Sequence, residues 1–220
     1  MEKHIISISN VEIKTDVLIS TLKINDDDDF IEDAIKIMQE AVKIAKPTAI
    51  YTLLTPDLRN GELLLNNVKI EEPFVFKMLS PCDPVVPYVA TCGLEIDSWS
   101  KKYTDLLEQF TADTLKQLCL GLIIEKLFNE VKTVHFNSEK NISTLNPGSI
   151  KEWPISGQKP LFKLLGGVTN DIGVKLSESL LMSPTKSVSG IIFQSEEEYH
   201  NCQLCPRPEC QNRRAPYAGD

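Results

Sequence analysis

The sequence predicts an α+β fold, and three observations carry that prediction. Residues 30–46 place Ile31, Ile35, Met38, Val42 and Ala45 on one helical face and stop at Pro47. Asn60-Gly61 stands between apolar runs, a strong hairpin signal, and further strand-like runs follow it. A longer helical pattern covers 97–134, and the chain returns to strand-like sequence at Val188–Phe193. The expected architecture is one domain, with helices packed on a bent, mainly antiparallel sheet.

Taken in order, residues 5–24 carry alternating β-branched residues (Ile6, Ile8, then Val11, Ile13) and predict strands. The run Asp26–Asp29 lacks the ligand spacing and glycine of a calcium loop and is expected to cap and charge the helix that follows. Strands are expected at Ile50–Leu54, Leu63–Ile70, Phe74–Leu79 and Val85–Thr91, with Pro87 marking the last as an edge or irregular strand. The 97–134 pattern reads as one bent helix or as two meeting near Thr111. Leu106, Leu107 and Phe110 form one apolar group there, and Gly121 suits close packing on the sheet. A Pro-Gly turn lies in 144-TLNPGSIKEWP-154. Ser156–Leu165 reads as a serine-capped helix stopped by Gly166-Gly167, and Ile172–Leu176 as another short helix, before a turn at Pro184–Lys186.

The chain has 220 residues, 42% hydrophobic and 25% charged, the profile of an ordinary globular domain. A net charge of −8 argues against nucleic-acid binding, which needs clustered cations. The first residues carry no signal-peptide pattern, and apolar runs such as Leu118–Ile124 are too short to span a bilayer. A cytoplasmic protein without membrane association is therefore expected, with its six cysteines reduced.

Three of those cysteines, Cys202, Cys205 and Cys210, form a C-x2-C-x4-C cluster that could converge on zinc or an iron–sulfur cluster. His200, Cys82 or Cys92 are the candidates for a fourth ligand. A redox-active Cys202–Cys205 pair and plain reduced thiols are the other two readings. No P-loop, dinucleotide fingerprint or Gly-x-Ser-x-Gly elbow is present. Glu178, between Ser177 and Ser179, suits a ligand hydroxyl or amine, or is a capping or buried hydrogen-bonding residue. Ser187-Val188-Ser189-Gly190 would let a ligand or a partner backbone approach closely, or simply make a turn. Glu125, in an apolar helix segment, either meets a cationic group or is solvated. Trp153 is a stacking platform or a packed core residue.

The segment 172-IGVKLSESLLMSPTKSVSGIIF-193, the Pro147-Gly148 turn, the Trp153-Pro154 region, the helix carrying Glu125 and, more loosely, Thr91-Cys92-Gly93 together resemble a family. It is the S-adenosylmethionine-binding activation (reactivation) domain of cobalamin-dependent methionine synthase, in a stand-alone form. The resemblance is specific over about residues 85–193 and weak over 1–80. It divides the chain into an activation-like domain, 1–200, and a cysteine-rich tail, 201–220.

The resemblance implies a C-shaped α+β domain that presents S-adenosylmethionine to the cobalamin of a methionine synthase or related corrinoid methyltransferase, with an electron from a reductase. The protein would supply binding and orientation rather than turnover of its own. Glu125 would lie near the ligand amine, and Pro147 and Gly148 would contact the ligand through their backbone. Tyr199, or His200 beside it, falls near a family tyrosine. Thr144, Asn146, Ser149, Glu178, Ser189 and Gly190 complete the ligand-binding candidates. The family turn usually reads Arg-x-x-Pro-Gly-Tyr. Thr144 and Ser149 stand at its arginine and tyrosine positions, which leaves Arg207, Arg213 and Arg214 of the tail to replace the arginine. The alternative is a metal- or iron–sulfur-binding partner of a corrinoid protein that has lost S-adenosylmethionine binding.

Overall fold

Strand β1 (His4–Ser7) opens the chain, but the strand pattern then stops and Thr15–Leu22 is a helix, α1. Leu18 and Leu22 lie four apart and bury one helical face, which outweighs the weak alternation that precedes them. The computed structural model describes residues 2–24, 30–136, 140–207, 209–210 and 213–218. The aspartate cap expected over 26–29 lies outside them. Helix α2 (Ile31–Ile44) follows, with Glu32 and Asp33 in its first turn. Its buried stripe is Ala34, Ile37, Met38 and Ala41, rotated from the predicted one so that Ile35 and Val42 pack on its shoulder.

After β2 (Thr48–Tyr51), the strands β3 (Asp57–Arg59), β4 (Glu62–Leu65) and β5 (Val68–Ile70) form a small antiparallel sheet. Asn60 and Gly61, at φ +52° and +78°, make the first hairpin turn as predicted. Phe74–Leu79, expected as a strand, is part of helix α3 (Pro73–Leu79). Pro73 sits in its first turn, where a missing amide costs nothing, and Val75 and Leu79 bury its inner face.

The remaining elements are β6 (Val85–Thr91), α4 (Leu94–Ser100), α5 (Leu106–Val134), β7 (Asn141–Leu145), α6 (Gln158–Leu165), α7 (Val168–Ile172), β8 (Lys175–Leu176), β9 (Met182–Ser183) and β10 (Ser187–Ser195). The break in the long helical region comes at 101–105 rather than near Thr111. Asp105 caps α5 there by accepting from the amides of Leu107 and Glu108. Helix α7 stops at Ile172 on Gly173, so the helix expected over Ile172–Leu176 gives way to β8.

The main sheet runs β1-β2-β6-β10-β7, every pair antiparallel. Pro87 therefore lies in a central strand, not at an edge. Its carbonyl accepts from Thr52 N, so its missing amide faces the Thr52 side; the reciprocal bond is absent, the regular β2 ladder ends at Tyr51, and pairing resumes at Leu54 and Val85, where both bonds form. All seven residues of β6 are buried, because helices cover both faces. Helices α1, α2, α4 and α5 pack on the face carrying Tyr51, Val86, Tyr88, Ala90 and Ile192. Helices α6 and α7 and the small sheet cover the face carrying Ile50, Val85, Val89, Ile191 and Phe193. Among the described residues no helix is long and apolar enough to cross a membrane.

Candidate functional site

Alternation along β7 and β10 fixes which predicted residues share a face. Thr144 pairs with Ile192, and Val188 and Gly190 pair with Ala90 and Tyr88. All of these lie on the α5 side of the sheet. There a cavity of about 180 Å3 is enclosed by Tyr88, Thr144, Asn146 and Val188 from the sheet side and by Ile124 and Phe128 of α5. The tail closes it, through His200, Asn201, Cys202 and Arg214.

Asn146 organises this wall. Its Nδ2 donates to Tyr88 Oη and to the Ser189 carbonyl, both at 2.9 Å, and its Oδ1 accepts from Asn201 Nδ2 at 2.8 Å. The arrangement requires a glycine at 190. A Cβ there would stand 2.5 Å from Asn146 Nδ2, 2.5 Å from the Leu145 carbonyl oxygen and 2.9 Å from the Tyr88 ring. Burial pushes the Tyr88 phenol pKa up, so it stays neutral. One buried polar atom on the cavity wall, Asn201 Oδ1, has no hydrogen-bond partner among the described residues, while the Thr144 hydroxyl faces that of Tyr88. Buried polar atoms are ordinarily satisfied, and Asn201 Oδ1 is placed to be satisfied by something in the cavity.

The cavity adjoins a wider groove of about 910 Å3, since Ile124, Phe128 and Arg214 line both. The groove runs over the outer face of α5 past Gly121 and Glu125 and under Arg213. Gly121 is therefore exposed, with open space where a Cβ would go, rather than pressed on the sheet. Glu125 is exposed and makes no ion pair or hydrogen bond among the described residues.

The two neighbouring arginines differ sharply. Arg213 spends its guanidinium on the tail, donating to the carbonyls of Cys202, Ala215, Cys205 and Arg207. Arg214 donates only its backbone amide, to Cys202 Sγ at 3.4 Å, and its guanidinium has no partner among the described residues.

The other predicted residues fall elsewhere. Pro147 and Gly148 form a turn between Asn146 and Ser149, with Gly148 at φ +84° and Ser149 N bonded to the Asn146 carbonyl. Gly148 N donates to the Trp153 carbonyl, so both turn amides are already used. The turn sets the direction of the chain beyond Asn146 and stays outside the cavity lining. Trp153 is fully buried in the core against α6 and the small sheet, a packed residue and not a platform. Ser189 turns its side chain away from the cavity and offers only its carbonyl, to Asn146. Glu178 sits exposed in the β8–β9 hairpin, where Ser177 Oγ bonds Ser179 Oγ and Leu181 N. Tyr199 points to the opposite side, its ring 6.0 Å from Phe74, and its neighbour His200 enters the cavity wall instead.

Among the described residues no three His, Cys, Asp or Glu side chains converge to hold a metal, and that includes Cys202, Cys205 and Cys210. Cys82 and Cys92, proposed as a fourth ligand, are buried in separate cores, with thiols pushed by burial up to about 11 and about 12. His200 pairs with Glu198 at 3.1 Å.

Residues 149–214 match the family described as vitamin B12 dependent methionine synthase, activation domain. Among solved structures, the chain is similar to a crystal structure of the MetH reactivation domain bound to AdoHcy. The TM-score is 0.63 at 17% identity, over 91% of this chain and 80% of that one. At that identity the likeness is one of fold. No curated protein matches the chain significantly. The matched span includes the tail residues that close the cavity.

Proposed function

For this activation-domain-like protein, we propose a role in cobalamin reactivation: it binds S-adenosylmethionine over α5 and presents it to the cofactor of a B12-dependent methionine synthase or related corrinoid methyltransferase. One observation carries the reading. The cavity under α5 holds an unsatisfied polar atom, Asn201 Oδ1, and opens on a groove with a free carboxylate, Glu125, and a free cation, Arg214. The family match over residues 149–214 and the AdoHcy-bound structural relative support the same ligand class.

The residues present fit such a ligand. The cavity alone, at about 180 Å3, is smaller than the ~300–1,000 Å3 usual for a small-molecule site, while the adjoining groove, at about 910 Å3, lies within that range. Apolar contact comes from Ile124, Phe128 and Val188, and the fixed Asn146–Tyr88–Asn201 network keeps the wall rigid. When bound, S-adenosylmethionine supplies a methyl group that passes to the cobalt of the partner's cofactor with one electron from a reductase. The chain's own work is to bind and orient. The polar wall receives hydrogen bonds, α5 supplies an apolar floor, and the open groove leaves the ligand reachable from outside. Isothermal titration with S-adenosylmethionine, alone and with a cobalamin-loaded methyltransferase present, tests the reading. Binding in either setting is expected, and no binding in both would overturn it.

A further inference from the structure

We propose that Cys202 and Cys205 are the site of a reversible disulfide, and that forming it reshapes the wall of the cavity. The effect on a ligand rests on the reading that the cavity and groove hold S-adenosylmethionine; the bond itself does not.

Backbone geometry brings the pair together. The chain winds here through successive i→i+3 turns. Gln203 N donates to the His200 carbonyl, Leu204 N to that of Asn201 and Cys205 N to that of Cys202, at 2.9, 3.1 and 3.4 Å. In such turns side chains three apart stand on the same side, and their Cα atoms lie within ~7 Å. A disulfide spans Cα separations of ~4.4–6.8 Å. Arg213 holds the turn from inside, because its guanidinium donates to the carbonyls of both cysteines. Cys210 belongs to a different turn, closed by Arg213 N on the Cys210 carbonyl, and the three thiols do not converge. Access separates the pair from the remaining thiols: Cys82, Cys92 and Cys119 are buried, whereas Cys202 and Cys205 are partly exposed.

The step balances with a small-molecule disulfide as oxidant. One cysteine thiol loses its proton to solvent, and its sulfur attacks the small disulfide. The S–S bond of the oxidant breaks, a mixed disulfide forms, and the first small thiolate leaves and takes up a proton. The second cysteine, deprotonated in the same way, attacks the protein-bound sulfur and expels the second small thiol. Two cysteine thiols give up two electrons in all, and one disulfide is reduced to two thiols. The structural consequence follows from where Cys202 Sγ lies in the reduced protein. It accepts from Arg214 N at 3.4 Å, across the loop. Turned onto Cys205, it leaves that amide without its acceptor. Cys202 and Arg214 both line the cavity, so the change is made in the wall itself.

The test uses the full chain, equilibrated with oxidised and reduced glutathione in graded ratio, with the products mapped by peptide mass spectrometry after alkylation. An internal Cys202–Cys205 disulfide should form while Cys210 is still free, and dithiothreitol should reverse it. Cys210→Ser should leave it in place, and Cys205→Ser should hold glutathione on Cys202 instead. Separate glutathione adducts on Cys202 and Cys205 in wild type, or an internal bond to Cys210, overturn the proposal. Trypsin should cut the Arg213–Arg214 bond several-fold faster in the oxidised protein, because its amide is released; equal rates overturn the structural consequence. S-adenosylmethionine should bind the oxidised protein roughly two- to tenfold more weakly than the reduced one, the worth of one neutral hydrogen bond. A variant carrying both Cys202→Ser and Cys205→Ser should bind it equally before and after the treatment. Equal affinity of the two wild-type forms overturns the link to the cavity. Binding by neither form overturns the functional reading, while the mapped disulfide stands.

Discussion

Substituting Gly190 by alanine is the sharpest single test of the site's construction. The added Cβ would lie 2.5 Å from Asn146 Nδ2, 2.5 Å from the Leu145 carbonyl oxygen and 2.9 Å from Tyr88 Cε1. The Leu145 oxygen belongs to β7, paired with β10 at this register, so it cannot swing aside as a side chain would. Relief must come from separating the two strands or from pushing Asn146 off Tyr88. Overpacking of this kind costs ~1–3 kcal/mol, and a lost Asn146–Tyr88 hydrogen bond adds ~1 kcal/mol. Against this, alanine gains ~0.5–1 kcal/mol over glycine in backbone entropy. The net is a loss of about 2 kcal/mol, or about 4–8 °C in Tm for a chain of this size. Gly121→Ala is the matched control. Gly121 lies within α5, has nothing within 4 Å of its would-be Cβ, and should gain ~0.5–1 kcal/mol. Urea and thermal denaturation of both variants measure the pair. A Gly190→Ala protein as stable as wild type, or two variants shifting in the same direction, would refute the packing argument.

Three further outcomes follow from the geometry. Asn146→Ala should cost ~1–3 kcal/mol in urea denaturation, because Tyr88 Oη is left buried without its donor, and the tail should become more open to limited proteolysis as Asn201 loses its tie. Burial, and then the neighbouring charge of His4, hold the His135 pKa below its ordinary value, and its Nε2 lies 3.2 Å from Tyr51 Oη, which also bonds Glu130. The folded state therefore resists protonating His135, so its contribution is intact above the ordinary histidine pKa of ~6.5 and is lost as pH falls below it. His135→Gln should flatten the urea midpoint between pH 7 and 5, with His4, Glu130 and Glu2 the other charges acting there. A thiol-disulfide reagent applied to native protein should modify Cys202, Cys205 and Cys210 promptly. Cys82, Cys92 and Cys119, with pKa values pushed up to about 11, 12 and 12, should react only after denaturation.

Much of the frame was legible because periodicity and turn chemistry are local. The α2 helix, the Asn60-Gly61 hairpin and β10 follow from patterns a few residues long. Pro87 misled because a proline's position in a sheet depends on which strand lies beside it, and β2, which ends at Tyr51, comes from a distant part of the chain. Phe74–Leu79 is too short for its period to separate helix from strand, and Pro73 was the better guide. Within the site, Gly190 lies in the expected strand Val188–Phe193, while Thr144 and Asn146 come only from the resemblance at the Pro147-Gly148 turn; all three stand on the cavity side. Tyr88 is as central and gave one signal, the single aromatic residue, with a hydroxyl, inside the apolar run VVPYVAT. Tyr199 and His200 show the limit of motif matching. Adjacent residues in extended backbone face opposite ways, and a shift of one position changes which enters the wall. The difference between Arg213 and Arg214 rests on which tail carbonyls come together, which no local pattern encodes.

The segment that closes the cavity adds no strand to the main sheet: all five strands precede residue 196, and His200, Asn201, Cys202 and Arg214 cross the flank of the sheet outside it. The tail is therefore a separate layer laid over a sheet whose hydrogen-bonded ladders are complete without it. Changes in the tail can reshape the wall of the cavity while leaving every strand pairing in place.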